Sequence, residues 1–273
     1  MKYVYGKNVF LTGGSSGIGL ATAELFAANG YTVFAASRNP TAATRTFPGG
    51  GEIRPVKLDV RAMKSIGAAA ESVLAEADIG IVIHCAGVGI ACPGEDFPED
   101  AVTGLIDTNF NGVLRVNSRF LPALRLRKGG ICVIVGSVGG VFSIPFQSHY
   151  CASKAALISY SKALRMELRD FGVRVSLVSP GDTATDFTTA RKYEIDEDSP
   201  YYSTCIKSVK KMENDEQNGR PPLSVAQTIL RLCTRRNPPA QTVVGFDYKL
   251  LVFLRRLMPD RLVEFILRRM YLG

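Results

Sequence analysis

The sequence is poor in the side chains that build metal and thiol chemistry. It contains two histidines, His84 and His149. A zinc site or a histidine-centred triad needs partner groups, and neither histidine has a recognisable set, so no metal is expected. The six cysteines (Cys85, Cys92, Cys132, Cys151, Cys205, Cys233) fall in no CxxC or other ligand spacing. Most lie inside apolar runs, so buried free thiols in a reducing compartment are expected, which points to the cytoplasm. No uninterrupted apolar stretch reaches the roughly 18 residues of a membrane span. The opening "MKYVYGKNVFLTGG" lacks the apolar core of a signal peptide. Internal repeats and low-complexity tracts are also missing. Acidic residues are outnumbered, 25 Asp and Glu against 33 Lys and Arg, a formal charge of +8. Such a balance admits nucleic acid or anionic lipid. Much of the excess is gathered in Lys249, Arg255, Arg256, Arg261, Arg268 and Arg269, so no nucleic-acid partner is expected.

What is present is an alternation. Short apolar, β-branched runs at 8–12, 31–37, 53–58, 79–84, 130–136, 173–179 and 241–245 read as about seven strands. Helical patterns fill 18–29, 62–77, 99–127, 149–171 and 223–235. Continuous apolar strands between helices predict an α/β fold: a Rossmann-like, doubly wound parallel sheet flanked by helices. The 273 residues read as one domain, 1–273. In such folds ligands bind beyond the C-terminal ends of the strands, and nearly every Gly or polar cluster here follows a strand.

The first of these, "TGGSSGIG", joins a strand to a helix. Gly13 suits the tight turn, Gly17 the approach of backbone to a pyrophosphate, and Gly19 close packing of helix on sheet. Ser15, Ser16 and Ile18 complete an anion cradle at the helix N-terminus. The spacing is Gly-x-x-x-Gly-x-Gly. At the end of the second strand, where an acid would bind the ribose of NAD(H), the chain has Ser37 followed by Arg38. An arginine pairs with a 2′-phosphate, which favours NADP(H) over NAD(H). Asp59 and Val60 are expected beside the adenine.

"YCASK" places Tyr150 and Lys154 at i and i+4, on one helix face at the ligand end of the sheet. A nearby ammonium lowers the pKa of a phenol, ordinarily near 10. Ser137, after the fifth strand, is positioned to hydrogen-bond a substrate oxygen. The set suits proton exchange by Tyr150 coupled to hydride exchange with a nicotinamide.

With "TGGSSGIG", "LDV", "HCAG", "DTNFNG", "GSVGG", "YCASK" and "SPGDTAT" in this order, the chain resembles the short-chain dehydrogenase/reductase family over its first 245 or so residues. It is most similar to the branch of 17β-hydroxysteroid and retinol dehydrogenases. The resemblance implies Tyr150 as acid/base, Lys154 as its tuner and ribose ligand, and Ser137 as the substrate-orienting hydroxyl. It implies Asn109 as the residue that kinks its helix and holds a proton-relay water. Ala86 and Gly87 would lie along the cofactor. Pro180, Gly181, Thr183 and Thr185 would contact its nicotinamide and phosphates. One departure is "HCAG" where the family commonly has "NNAG": Cys85 replaces a bracing asparagine.

The expected activity is interconversion of a hydrophobic alcohol and its ketone or aldehyde, steroid-, retinoid- or lipid-like. Val141, Phe142, Pro145 and Phe146, with Ile144, offer an apolar substrate wall; Gly89, Ile90 and Cys92 are candidates for the other side. The rival reading is a catalytically silent NADP(H) sensor or scaffold. Residues 185–220 read as a substrate loop or lid, with Tyr193, Tyr201 and Tyr202 available to close it. The segment 247–273 reads as two helices broken at Pro259, taken as a first helical position. This basic extension packs on the domain, caps the site, or touches a membrane peripherally. It lacks the glycine-rich ending of many tetrameric relatives, and a homodimer is expected.

Overall fold

Val9, Phe10 and Leu11 are all fully buried, as a strand covered on both faces requires. They belong to β1 (Asn8–Thr12), which stands at the centre of the computed structural model; residues 3–40 and 43–273 are described. Around it lie β2 (Thr32–Ser37), β3 (Arg45–Thr46), β4 (Glu52–Lys57), β5 (Ile79–His84), β7 (Gly130–Val135), β8 (Val173–Ser179) and β10 (Gln241–Val243). β6 (Ile90–Ala91) and β9 (Lys192–Tyr193) form a separate two-stranded pair.

The main sheet has the order β10-β8-β7-β5-β1-β2-β4-β3. All pairings are parallel except that of β3, which runs antiparallel to β4. The sheet therefore has eight strands, one more than the sequence suggests. The extra strand is two exposed residues at the edge, too short to carry an apolar pattern.

Helices cover both faces, and strand alternation divides β1 between them. Phe10 joins the layer made with α2 (Met63–Glu76), α4 (Gly112–Leu126) and α5 (Ser148–Glu167), stacking on Phe120 with centroids 4.0 Å apart. Val9 and Leu11 join the opposite layer, with α1 (Gly17–Ala28) and α7 (Pro222–Cys233). Strand order reverses at β1, between β2 and β5, and the crevice opens beyond that point.

Three expectations need correction. The helix expected over 99–127 is α3 (Glu99–Ile106) and α4 joined by a π-helical turn, Asp107–Asn111. The wider turn lets Asn109 spend its amide on Val88, whose N–H it accepts at 2.8 Å and whose carbonyl it meets at 3.0 Å. The segment 185–220 is no plain loop: it contains β9 and a helix, α6 (Tyr202–Gln217), which buries Cys205, Val209 and Met212. In the tail, α8 (Phe246–Arg255) and α9 (Asp260–Tyr271) are present, but Pro259 is extended (ψ 149°) and precedes α9 as its N-cap.

Candidate active site

The glycine turn builds one end of a cleft of about 420 Å³. Gly13 has φ +76°, and a side chain there would put its Cβ 2.6 Å from Ala86 N, so only glycine fits. The Gly13 and Gly14 N–H groups donate to Ala36 O at 2.8 and 3.1 Å, tying the turn to β2. Ser16 is extended and caps α1 without a side-chain hydrogen bond. The N–H groups of the first turn are thus left for an anion. Ser15, Ser16, Gly17, Ile18 and Gly19 line this end of the cleft.

Ser37 and Arg38 line it beside β2. The Ser37 Oγ is buried with no hydrogen-bond partner among the described residues. Arg38 is exposed and forms no salt bridge with a described residue. Asp59 is held by the Arg61 side chain through three hydrogen bonds of 2.7, 3.0 and 3.2 Å, which keep its carboxyl below its ordinary pKa, and that carboxyl also feels the Arg38 charge. An orphaned hydroxyl beside an exposed guanidinium fits a phosphate ester. Val60, Ala86 and Gly87 continue the cleft, followed on its far side by Pro180, Gly181 and Thr183. Thr185 is displaced from the lining and lies over Gly17, its Cβ 3.3 Å from where a Gly17 side chain would start.

At the other end Ser137, Tyr150 and Lys154 face the same space. Ser137 follows β7 and accepts the Gly139 N–H at 3.0 Å, which fixes its hydroxyl. Tyr150 and Lys154 are one turn apart on α5. Burial pushes the Tyr150 phenol above its ordinary pKa, opposed by a hydrogen bond with Ser137. Lys154 Nζ lies 5.6 Å from the centroid of the Tyr150 ring. Lys154 is itself buried, its pKa drawn down to about 8, and its ammonium donates to Val135 O at 3.2 Å. Asn109 lies behind the cleft; its Nδ2 donates to Ser153 Oγ at 3.2 Å, and that hydroxyl donates to Tyr150 O at 2.7 Å.

The brace lost with Cys85 is made one residue earlier. His84 Nε2 meets Asn117 Oδ1 of α4 at 2.9 Å, and Asn117 donates to Tyr160 at 3.1 Å. His84 is thus a core residue, its pKa depressed to about 4 by burial. Cys85 lines the cleft, and burial raises its thiol to about 12, so it stays protonated. His149 turns to Cys92 Sγ, 3.5 Å away, and to the Phe97 ring.

The substrate wall is not the one expected. Ile144 and Gln147 line the cleft, whereas Val141, Phe142, Pro145 and Phe146 do not. Phe146 has φ +61° and turns its ring into a cluster with Ala91, Cys205 and Met212. Gly89 lines the cleft, but Ile90 and Cys92 are buried beside Leu105. Tyr193, Tyr201 and Tyr202 stand outside. Their place is taken by Phe187, whose ring centroid is 5.8 Å from that of Tyr150, with Ala190, Met212, Asp182, Asp186 and Glu216 around it. No local pattern in the sequence singles these out, since α6 and the turn before it reach the cleft only through the fold. Among the described residues no group of His, Cys, Asp or Glu is arranged to hold a metal.

The chain is similar to known proteins along most of its length. The short chain dehydrogenase family profile matches residues 7–196. The chain is 33% identical over 267 residues to a 3-ketodihydrosphingosine reductase of Bacteroides thetaiotaomicron, covering 96% of this chain and 97% of that protein. It is 36% identical over 189 residues to human 17-beta-hydroxysteroid dehydrogenase type 1, covering 66% of this chain and 57% of that one. A short-chain dehydrogenase structure from Streptomyces avermitilis superposes with a TM-score of 0.79 at 26% identity, over 92% of each chain. Family profile, full-length relative and Rossmann-like sheet agree, and the chain belongs to the short-chain dehydrogenases, a family of oxidoreductases.

Proposed function

We propose that the chain is an NADP(H)-dependent oxidoreductase that interconverts a lipid-like ketone and its secondary alcohol. The observation that carries this reading is the meeting of Ser137, Tyr150 and Lys154 in one cleft with the glycine turn. When bound, the nicotinamide exchanges a hydride with the substrate carbon. The rest falls to side chains. Ser137 Oγ hydrogen-bonds the carbonyl oxygen and fixes its direction. The Tyr150 hydroxyl gives that oxygen a proton in reduction and takes it back in oxidation. A phenol whose pKa lies above its ordinary value holds its proton at neutral pH, as an acid for ketone reduction must. Lys154 holds the ribose and supplies positive charge beside the phenol. Arg38 and Ser37 hold the 2′-phosphate, which distinguishes NADP(H) from NAD(H).

Ile144, Phe187 and Met212 give the substrate end an apolar lining. A full-length relative bears the name of a reductase of a long-chain sphingoid ketone, which supports a long-chain ketone over a compact one. The test is NADPH consumption with 3-ketodihydrosphingosine, a steroid ketone, retinal and a medium-chain ketone. Turnover of the sphingoid ketone above the others supports the reading. Cofactor binding without turnover of any of them replaces it with the silent sensor.

A further inference from the structure

Helix α8 carries two apolar faces, and its own protein uses one. Tyr248 and Val252 turn inward, Tyr248 donating its hydroxyl to Asp182 at the rim of the cleft. Phe246, Leu250, Phe253 and Leu254 recur at i, i+4, i+7 and i+8, which puts them on one stripe along the opposite side, and Leu257 follows in the turn after the helix. All five are exposed, Phe246 by 79% and Leu257 by 70%. Helix α9 repeats the arrangement. Val263 is buried and Tyr271 packs against the α6 cluster that includes Met212, while Leu262, Phe265 and Ile266 face out, Phe265 by 63%. Isolated apolar side chains on a surface are ordinary; an exposed apolar stripe on each of two successive helices is not.

Charge identifies what covers these stripes. From 246 to 273 the basic residues are Lys249, Arg255, Arg256, Arg261, Arg268 and Arg269, against Asp247, Asp260 and Glu264. Both aspartates are consumed: Asp247 by Arg220 and Asp260 by Arg255. Lys249, Arg256, Arg261, Arg268 and Arg269 form no salt bridge with a described residue. A two-fold contact between copies would bring this uncompensated positive set against itself. An anionic lipid surface instead accepts apolar side chains below and guanidinium groups at headgroup level. Helices of 10 and 12 residues are about 15 and 18 Å long, too short to cross a bilayer but suited to lie in its face.

We infer that α8 and α9 dock the protein reversibly on anionic membrane surfaces, seating the two outward stripes among the lipid headgroups. The docking is independent of which ketone the cleft takes. It sets the substrate end of the cleft, tied to α8 through Asp182 and Tyr248 and to α9 through Met212 and Tyr271, next to the lipid.

Co-sedimentation of the full chain with vesicles tests it. The protein should pellet with phosphatidylcholine mixed with phosphatidylglycerol. It should pellet far less with phosphatidylcholine alone, or in roughly 0.5 M salt, where attraction between charges is screened within a few ångströms. F253S/L257S, at and just after the end of α8, and F265S/I266S on α9 remove exposed side chains and should leave the melting temperature in place. Each should lower vesicle affinity by more than about tenfold, the loss expected when two large apolar groups no longer leave water. Wild-type protein that stays in the supernatant with anionic vesicles overturns the inference, as do variants that pellet like wild type. If the variants instead halve the mass measured in solution while the wild type ignores vesicles, a second copy covers the patch and the inference fails.

Discussion

Lys154 Nζ lies 5.6 Å from the centroid of the Tyr150 ring, one helical turn along α5. The ammonium is in reach of the phenol and also donates to the Val135 carbonyl, while burial keeps the phenol protonated. The proton needed at a carbonyl oxygen therefore sits on Tyr150. Tyr150→Phe keeps the ring against Phe187 and removes that proton. Turnover should fall by roughly 10²–10⁴-fold, while NADPH affinity, followed by fluorescence titration, stays within a few-fold. Retained turnover would remove Tyr150 from the chemistry.

Cofactor choice rests on the end of β2. Among the described residues Arg38 forms no salt bridge and Ser37 Oγ has no hydrogen-bond partner. Arg38→Asp exchanges a cation for an anion where the 2′-phosphate would sit and offers a carboxylate to the ribose hydroxyls of NAD(H). Charge-assisted contacts of this kind contribute about 1.5–3 kcal/mol. The ratio of kcat/KM for NADPH over NADH should fall by about a hundredfold, read from parallel kinetics with the two cofactors. An unchanged ratio would refute the charge argument.

The parts of this architecture that were legible in the sequence are those with a local period. β1 announces itself as an unbroken apolar run because both its faces are covered. Tyr150 and Lys154 are recognisable because a helix fixes what lies at i+4. The substrate wall has no such signal. Phe146 looks like a lining residue until its positive φ turns it toward α6. Phe187 is one aromatic in a polar stretch until the chain folds back over Tyr150. Asn109 sits in an apparently regular helical pattern, and nothing in that pattern shows the π turn that lets its amide reach Val88. Where position depends on residues far away in the chain, spacing carries no information.

Phe187 gives a separable prediction. Its ring packs at the substrate end, and its removal takes apolar area from a bound ketone without touching Ser137 or Lys154. Phe187→Ala should raise KM for a long-chain ketone by about tenfold or more, the cost of one lost aromatic contact. The KM for NADPH should not move. A loss confined to kcat would mean that the ring orients Tyr150 instead of holding substrate.

His84 makes stability depend on pH in a defined direction. Its pKa is about 4 in the folded chain and 6.5 ordinarily, because burial disfavours the cation. Between those values the unfolded chain binds more protons than the folded one. The His84 contribution is therefore complete above pH 6.5 and is lost as pH falls toward 4, by up to about 3 kcal/mol. His84→Gln removes the titration while offering an amide to Asn117. The variant should be less stable than wild type at neutral pH, since the fit to Asn117 is poorer, and should lose less stability on acidification. Urea unfolding at pH 7, 6 and 5 compares the two slopes. Parallel slopes would place the acid sensitivity elsewhere, in carboxylates such as Asp59 and Asp107 whose folded-state pKa values are also lowered.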